Sequence, residues 1–226
     1  MLALALSGGK DSMACYYLAR PILDCAIYVN TGFAFPETRE MVERVSKDLP
    51  VYTVHTDRKT QNAVNGIPAD IVPVNWTSTG QVVTGKKPTI IQNYLQCCFE
   101  NISYPLFLKA KELGVTELVC GQRQSDLHKS TLGNGESMEG ITRIYPIEHW
   151  TDGDIFAFLG LHMTIPDYYR IIKHTSLDCY DCTAYHNETR DLRAWTKEQH
   201  PDFYSAYMVR RIAVVTALVD AVKDSA

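Results

Sequence analysis

The stretch Leu2-Ala3-Leu4-Ala5-Leu6-Ser7-Gly8-Gly9-Lys10-Asp11-Ser12 decides how the rest of the chain is read. A short apolar run ends at a hydroxyl and two glycines, and from Lys10 to Arg20 apolar residues recur at helical spacing until Pro21 stops them. The pattern is strand, tight turn, helix. Glycines in the turn let backbone N–H groups approach an anion with no Cβ in the way, and the helix dipole favours negative charge there. Ser7, Lys10 and Ser12 add donors, so the turn predicts a phosphate cradle rather than a plain connection. The four-residue spacer of a Walker A loop is missing. Gly80-Gln81-Val82-Val83-Thr84-Gly85-Lys86-Lys87 has that spacing, but Lys87 stands where the magnesium-binding hydroxyl belongs and no strand precedes it, so it reads as a decoy.

Outward from the loop, Cys25 to Asn30 reads as a second buried strand and Pro36 to Lys47 as a helix with proline at its start and Glu37 in its first turn. Val51 to Val54 follows as a third strand. This alternation predicts right-handed βαβ crossovers: an α/β fold, a doubly wound parallel sheet with helices on both faces. Residues 57–90 read as long loops with a short hairpin, and Ile90 to Leu113 as a helix broken at Pro105. Thr116 to Cys120 is a fourth strand, Ser130 to Gly140 a glycine-rich mobile loop, and Thr151 to Leu159 a helix capped by Thr151. A helical segment closes the chain, its longest part Tyr204 to Val222. One domain is expected over 1–226, with a nucleotide-binding core to about 160 and a cysteine loop with C-terminal helices in 161–226.

The 226 residues carry 22 basic and 26 acidic side chains, a formal charge of −4, so no global positive field exists to hold nucleic acid or an anionic membrane. No stretch approaches the roughly 18 consecutive apolar residues of a membrane span. The apolar run after Met1 is too short for a signal peptide, so a cytoplasmic protein with no membrane partner is expected. Seven cysteines, an odd number, read in a reducing compartment as thiols or metal ligands. Cys15, Cys25 and Cys120 sit singly in apolar surroundings and read as core. Cys97-Cys98 and Cys179-Tyr180-Asp181-Cys182 are two pairs, enough thiolates for one metal centre. Adjacent cysteines on a helix diverge by about 100°, awkward for a single zinc ion but suited to separate corners of a cuboidal cluster. A 4Fe-4S cluster is therefore favoured over zinc.

Ser7-Gly8-Gly9-Lys10-Asp11-Ser12 resembles the pyrophosphatase loop (PP-loop) of the adenine nucleotide alpha hydrolase superfamily, whose members split ATP between its α and β phosphates. Val29-Asn30-Thr31-Gly32 with Phe35-Pro36-Glu37-Thr38 is similar to the phosphoadenosine phosphosulfate (PAPS) reductase family within it. The likeness continues at Gly121-Gln122-Arg123 with Lys129-Ser130, at Pro146 to Asp154, and at Ile165-Pro166. The cysteine pairs resemble the cluster signature of adenosine phosphosulfate (APS) reductases, Ser176 to Thr183 matching its second half and Pro105-Leu106 following the first pair. Two departures stand out. The basic residues expected between that pair and Pro105 are Asn101 and Ile102 here, and no cysteine follows Cys182, where those reductases carry their attacking thiol.

The resemblance implies an ATP pyrophosphatase that adenylates an acceptor, a small molecule or a nucleic acid, for sulfur transfer. Ser7, Gly8, Gly9, Lys10, Asp11 and Ser12 would hold pyrophosphate with Mg2+, Lys10 and Arg123 would neutralise developing charge, and Asp11 serves magnesium or the loop. Asn30, Thr31 and Gly32 at the sheet edge, with Gly121, would complete the nucleotide site. Arg123 lies where a ligand binds an open sheet, past a strand's C-terminal end. Trp150, Thr151 and Asp154 read as packing and capping. Three alternatives stay open: sulfonucleotide reduction with an external thiol or thiol-reductant protein, an ATP sulfurylase small subunit, and a non-catalytic subunit of a nucleic-acid modification complex. A sulfur donor and a homo-oligomer are further expected partners.

Overall fold

The computed structural model describes residues 1–172, 175 and 177–223; Ser176, which opens the cysteine motif, and the last three residues lie outside them. The elements run β1 (Leu2–Leu6), α1 (Lys10–Ala19), β2 (Cys25–Asn30), α2 (Pro36–Ser46), β3 (Val51–His55), α3 (Arg58–Asn65) and β4 (Ile67–Ala69). Then come α4 (Ser78–Thr84), β5 (Ile91–Asn93), α5 (Tyr94–Cys98), α6 (Tyr104–Glu112), β6 (Glu117–Val119), β7 (Ser137–Met138) and β8 (Ile141–Ile144). The chain ends with α7 (Asp152–Gly160), α8 (Asp167–Ile171), α9 (Arg190–Gln199) and α10 (Pro201–Lys223).

Six strands form one sheet in the order β3-β2-β1-β6-β8-β7, parallel except for the β7–β8 pair. Side chains of successive strand residues point to opposite faces, and the core splits accordingly. Leu4, Leu6 and Ala26 pack with Met13 and Tyr16 of α1, Met41 and Val45 of α2, and Ile155 and Leu159 of α7. Ala3, Cys25, Ile27 and Leu118 pack on the other face with Phe107 and Ala110 of α6. The winding reverses between β1 and β6, which makes the gap between their C-terminal ends the switch point where open sheets bind ligands.

The structure differs from the sequence expectation in three places. Residues 57–90 hold no hairpin: β4 pairs parallel to β5, Ile67 opposite Ile91, with α4 in the crossover between them. The hydrophobic signal of three-residue strands is too short to show a direction. The helix over 94–112 does not break at Pro105; Phe99–Ser103 forms a π turn ahead of it. Proline has no N–H to donate four residues back, and the Asn101 carbonyl left without that donor accepts from Thr56 Oγ1 at 3.1 Å. The 130–140 loop ends in β7, and β8, which the sequence reading passed over, extends the sheet beyond β6. Glu139 and Gly140, at φ 48° and 83°, make the tight turn that joins them. The Walker-like stretch is the helix α4 with Gly85 as its left-handed cap, and no phosphate cradle forms there.

The C-terminal helices close the far side. Leu192 and Trp195 of α9 pack on Phe35, Ile172 and Leu177, and Val214 of α10 packs on Ala69 and Ile91. Among the described residues no helix is long and apolar enough to cross a membrane.

Candidate functional site

The loop after β1 turns through Gly8 at φ 73°, where a Cβ would also lie 3.1 Å from the Thr38 carbonyl oxygen. Tyr169 donates its hydroxyl to the Gly8 carbonyl at 2.5 Å, pinning the turn from α8. Gly9 precedes α1 and no side chain caps its first turn, the kind of helix start at which backbone N–H groups meet anions. Ser12 Oγ donates to the Gly9 carbonyl at 3.0 Å, and Ser7 Oγ lies 3.2 Å from Ser12 Oγ, which stiffens the cradle.

Across the switch point, the loop after β6 brings Arg123 over the same cradle. Gly121 permits that approach, because a Cβ there would meet the Asp11 backbone carbon at 2.8 Å and the Ser12 nitrogen at 2.9 Å. Lys10 and Arg123 are only 8% and 6% exposed and share two carboxylates, Asp152 and Asp11. Asp152 Oδ1 lies 3.6 Å from Lys10 Nζ and 2.9 Å from Arg123 Nη1. Asp11 sits 3.2 Å from Lys10 Nζ through Oδ2, and its Oδ1 is 3.0 Å from Arg123 Nε. That last approach is an ion pair by distance but not a hydrogen bond by angle, and both buried atoms are left without a hydrogen-bond partner. Burial pushes the Asp11 carboxyl above the usual carboxylate range, against the pull of Lys10 and Arg123. A cleft of about 680 Å³ opens above, walled by the loop, Arg123, Asp126, Asp152 and Tyr168, a volume typical of small-ligand sites.

Asn30, Thr31 and Gly32 do not wall this cleft. They lie at the end of β2 against the cysteine loop: Thr31 Oγ1 is 3.6 Å from Cys179 Sγ, and Tyr180 donates its N–H to the Phe33 carbonyl at 3.0 Å. Sequence reasoning passed over Asp126 and Asp152. Asp152 stood in the Trp150-to-Asp154 segment, whose capping box, Thr151 with Asp154, is formed as expected and drew attention away from its neighbour.

The two cysteine pairs approach each other near the C-terminal end of β2. Cys182 lies within electrostatic reach of Cys97, Cys98 and Cys179, so the four thiols form one group. Cys97 and Cys98 diverge: Asn62 Nδ2 donates to Cys97 Sγ at 3.4 Å, while Cys98 Sγ faces the Tyr185 hydroxyl at 3.9 Å. Burial pushes the Cys98 thiol up to about 12 and raises Cys179 and Cys182 as well. Among the described residues no three thiol, imidazole or carboxylate groups stand close enough to share a single metal ion.

Three arginines that the sequence reading did not single out surround this group. Arg58, 2% exposed, pairs with Asp181 at 2.6 Å. Arg193 donates to the carbonyls of Tyr180 and Cys182 at 2.9 and 2.6 Å, and Arg210 lies 3.5 Å from Asp181. Burial lowers Arg193 and Arg210 below the usual guanidinium range; at Arg58 burial pulls the same way, but interaction with Cys179, Asp181 and Cys182 outweighs it and raises the group. Nothing in local periodicity marks these residues; only the fold brings them to the cysteines.

An open, mostly parallel α/β sheet with a phosphate-type loop at its switch point is the architecture of doubly wound α/β proteins that bind ligands at the carboxyl ends of their strands. The phosphoadenosine phosphosulfate reductase domain model matches residues 1–185, and the chain belongs to that family. An adenosine 5'-phosphosulfate reductase of Halalkalibacterium halodurans is 25% identical over 197 residues, covering 85% of this chain and 78% of the relative. A phosphoadenylyl-sulfate reductase from Candida auris, solved as a phosphate complex, shares the fold at a TM-score of 0.52 and 16% identity, over 80% of this chain and 82% of that one.

Proposed function

We propose that this member of the family cleaves ATP to AMP and pyrophosphate, transferring the adenylyl group to an acceptor ahead of sulfur transfer. The observation that carries the reading is the pair of buried cations, Lys10 and Arg123, facing the complete Ser7-to-Ser12 loop at the uncapped start of α1. In the resting cleft Asp152 occupies both cations; arriving phosphates take its place and swing it toward solvent. Lys10, Arg123 and the α1 N–H groups then neutralise the charge that builds on the leaving pyrophosphate as an acceptor oxygen attacks the α-phosphorus. The buried Asp11 Oδ1, ion-paired to Arg123 but without a hydrogen-bond donor, fits a cation that enters with the nucleotide, since Mg2+ is commonly held by one or two carboxylates plus substrate phosphates. Magnesium there would supply Lewis-acid polarisation of the phosphates.

Four thiols with divergent Cys97 and Cys98 and three guanidinium neighbours fit a 4Fe-4S cluster better than one zinc ion. Held by Cys97, Cys98, Cys179 and Cys182, it would supply electron transfer or sulfur chemistry next to the nucleotide site. A second reading, sulfonucleotide reduction, is favoured by the similarity to an APS reductase. That reading needs an attacking thiol from outside the 226 residues, because none follows Cys182.

The test is anaerobic purification, iron and sulfide analysis with a spectrum at about 400 nm, then AMP and pyrophosphate assay with ATP and Mg2+. Sulfite from APS or PAPS and a dithiol, without pyrophosphate from ATP, overturns the first reading in favour of the second. Lys10→Ala is expected to lower pyrophosphate release on the order of 100- to 1,000-fold while leaving the cluster absorbance unchanged.

A further inference from the structure

Asn101 and Ile102 occupy the positions where basic residues were expected beside the first cysteine pair. The pocket is nevertheless rich in positive charge, drawn from three elements distant in sequence: Arg58 opens α3, Arg193 belongs to α9 and Arg210 to α10. Each keeps one buried N–H atom without a hydrogen-bond partner, Arg58 Nη2, Arg193 Nε and Arg210 Nε. Against the three guanidiniums the pocket sets Asp181, with Asp178 coupled to Cys179 at its margin. Three guanidiniums thus face one ion-paired carboxylate in this pocket, an arrangement that favours an anionic occupant.

We propose that Arg58, Arg193 and Arg210 form a cationic cradle for the metal–thiolate centre and that the two from α9 and α10 raise its reduction potential, in place of the missing basic residues beside Cys98. The inference rests on the reading of the four thiols as cluster ligands. A centre held by four thiolates is anionic and gains a further negative charge on reduction, so nearby guanidiniums favour the reduced state. Arg58 and Arg193 also hold structure, the first through Asp181 and the second through the Tyr180 and Cys182 carbonyls. Arg210 hydrogen-bonds Asn62 Oδ1 at 2.5 Å and approaches Asp181 only at 3.5 Å, so it is the probe that disturbs the loop least. Arg193 and Arg210 lie beyond residue 185, where the family model's match ends.

The test is a spectroelectrochemical titration of the full chain, reconstituted anaerobically with iron and sulfide. Arg210→Met is expected to shift the midpoint to more negative potential, lowering the reduced fraction at a fixed potential about tenfold, and Arg210→Lys to restore it. Should Arg210→Met lose its iron, Arg210→Gln, which keeps an amide donor toward Asn62, is measured instead with the same expectation. An iron-loaded neutral variant that titrates with the wild type overturns the cradle alone, as does a lysine variant that behaves like the methionine one. A wild-type chain that takes up no iron overturns the cluster reading and the cradle with it.

Discussion

Asp11 is the residue at which binding and stability pull apart. Its carboxyl is raised above the usual range chiefly by burial, so its protonated form is the one the fold prefers. A group with a raised folded-state pKa contributes stability below its unfolded value and loses it as pH rises through the folded value. Ionising Asp11 as pH rises therefore costs stability that the cleft retains for its ligand. Asp11→Asn is expected to raise Tm at pH 7 by roughly 2–4 °C, with the gain over wild type shrinking as pH falls toward the ordinary carboxylate value of about 4. The same variant is expected to cleave ATP more slowly, because the cation then meets an amide. Thermal melts across pH and a pyrophosphate assay check both halves; a melt difference independent of pH would contradict the account.

At the scale of elements, α7 links the capping pattern to the cleft. Thr151 accepts from the Asp154 N–H at 3.2 Å and Asp154 accepts from the Thr151 N–H at 2.8 Å, which fixes the start of the helix and with it Asp152 at the next position. Thr151→Ala is expected to cost about 1 kcal/mol, read as a lower denaturation midpoint. Turnover should stay within about tenfold of wild type because Lys10 and Arg123, which meet the transition-state charge, are untouched. The π turn between Cys98 and Pro105 is a second element-level device. It accommodates the proline, and Asn101 within it donates back to the Cys97 carbonyl at 2.9 Å, holding the cysteine pair's helix in place.

Across the whole molecule, the tail holds the cysteine loop against the sheet. Trp195 of α9 contacts the rings of Phe35, Tyr168 and His200, at centroid distances of 5.6, 5.9 and 5.0 Å. Phe35 leads into α2, and its N–H donates to the Leu177 carbonyl just before Cys179. Trp195→Ala is expected to destabilise the fold by about 3–5 kcal/mol and to lower iron retained per chain after gel filtration. Lys10→Ala, which leaves the packing of α9 intact, is expected to retain it. Equal iron in both variants would mean that the cysteine loop stands without α9.

The local pattern alone determined the order of strands and helices through β3, the loop at Ser7 to Ser12, the Thr151 cap and the two cysteine pairs. Each of these is written in neighbouring residues, as periodicity, as turn glycines or as spacing. Short elements escaped for the same reason: three or four residues of β4, β5 or β8 leave too little pattern to read. Contacts made across long sequence separations were decided by the tertiary structure. Asp152 reaches Lys10 only because the sheet winds both ways from β1, and Arg58, Arg193 and Arg210 converge because α3, α9 and α10 pack around one loop. A buried arginine has no sequence signature apart from its unfavourable burial, and the partners that make burial tolerable are supplied by other parts of the fold.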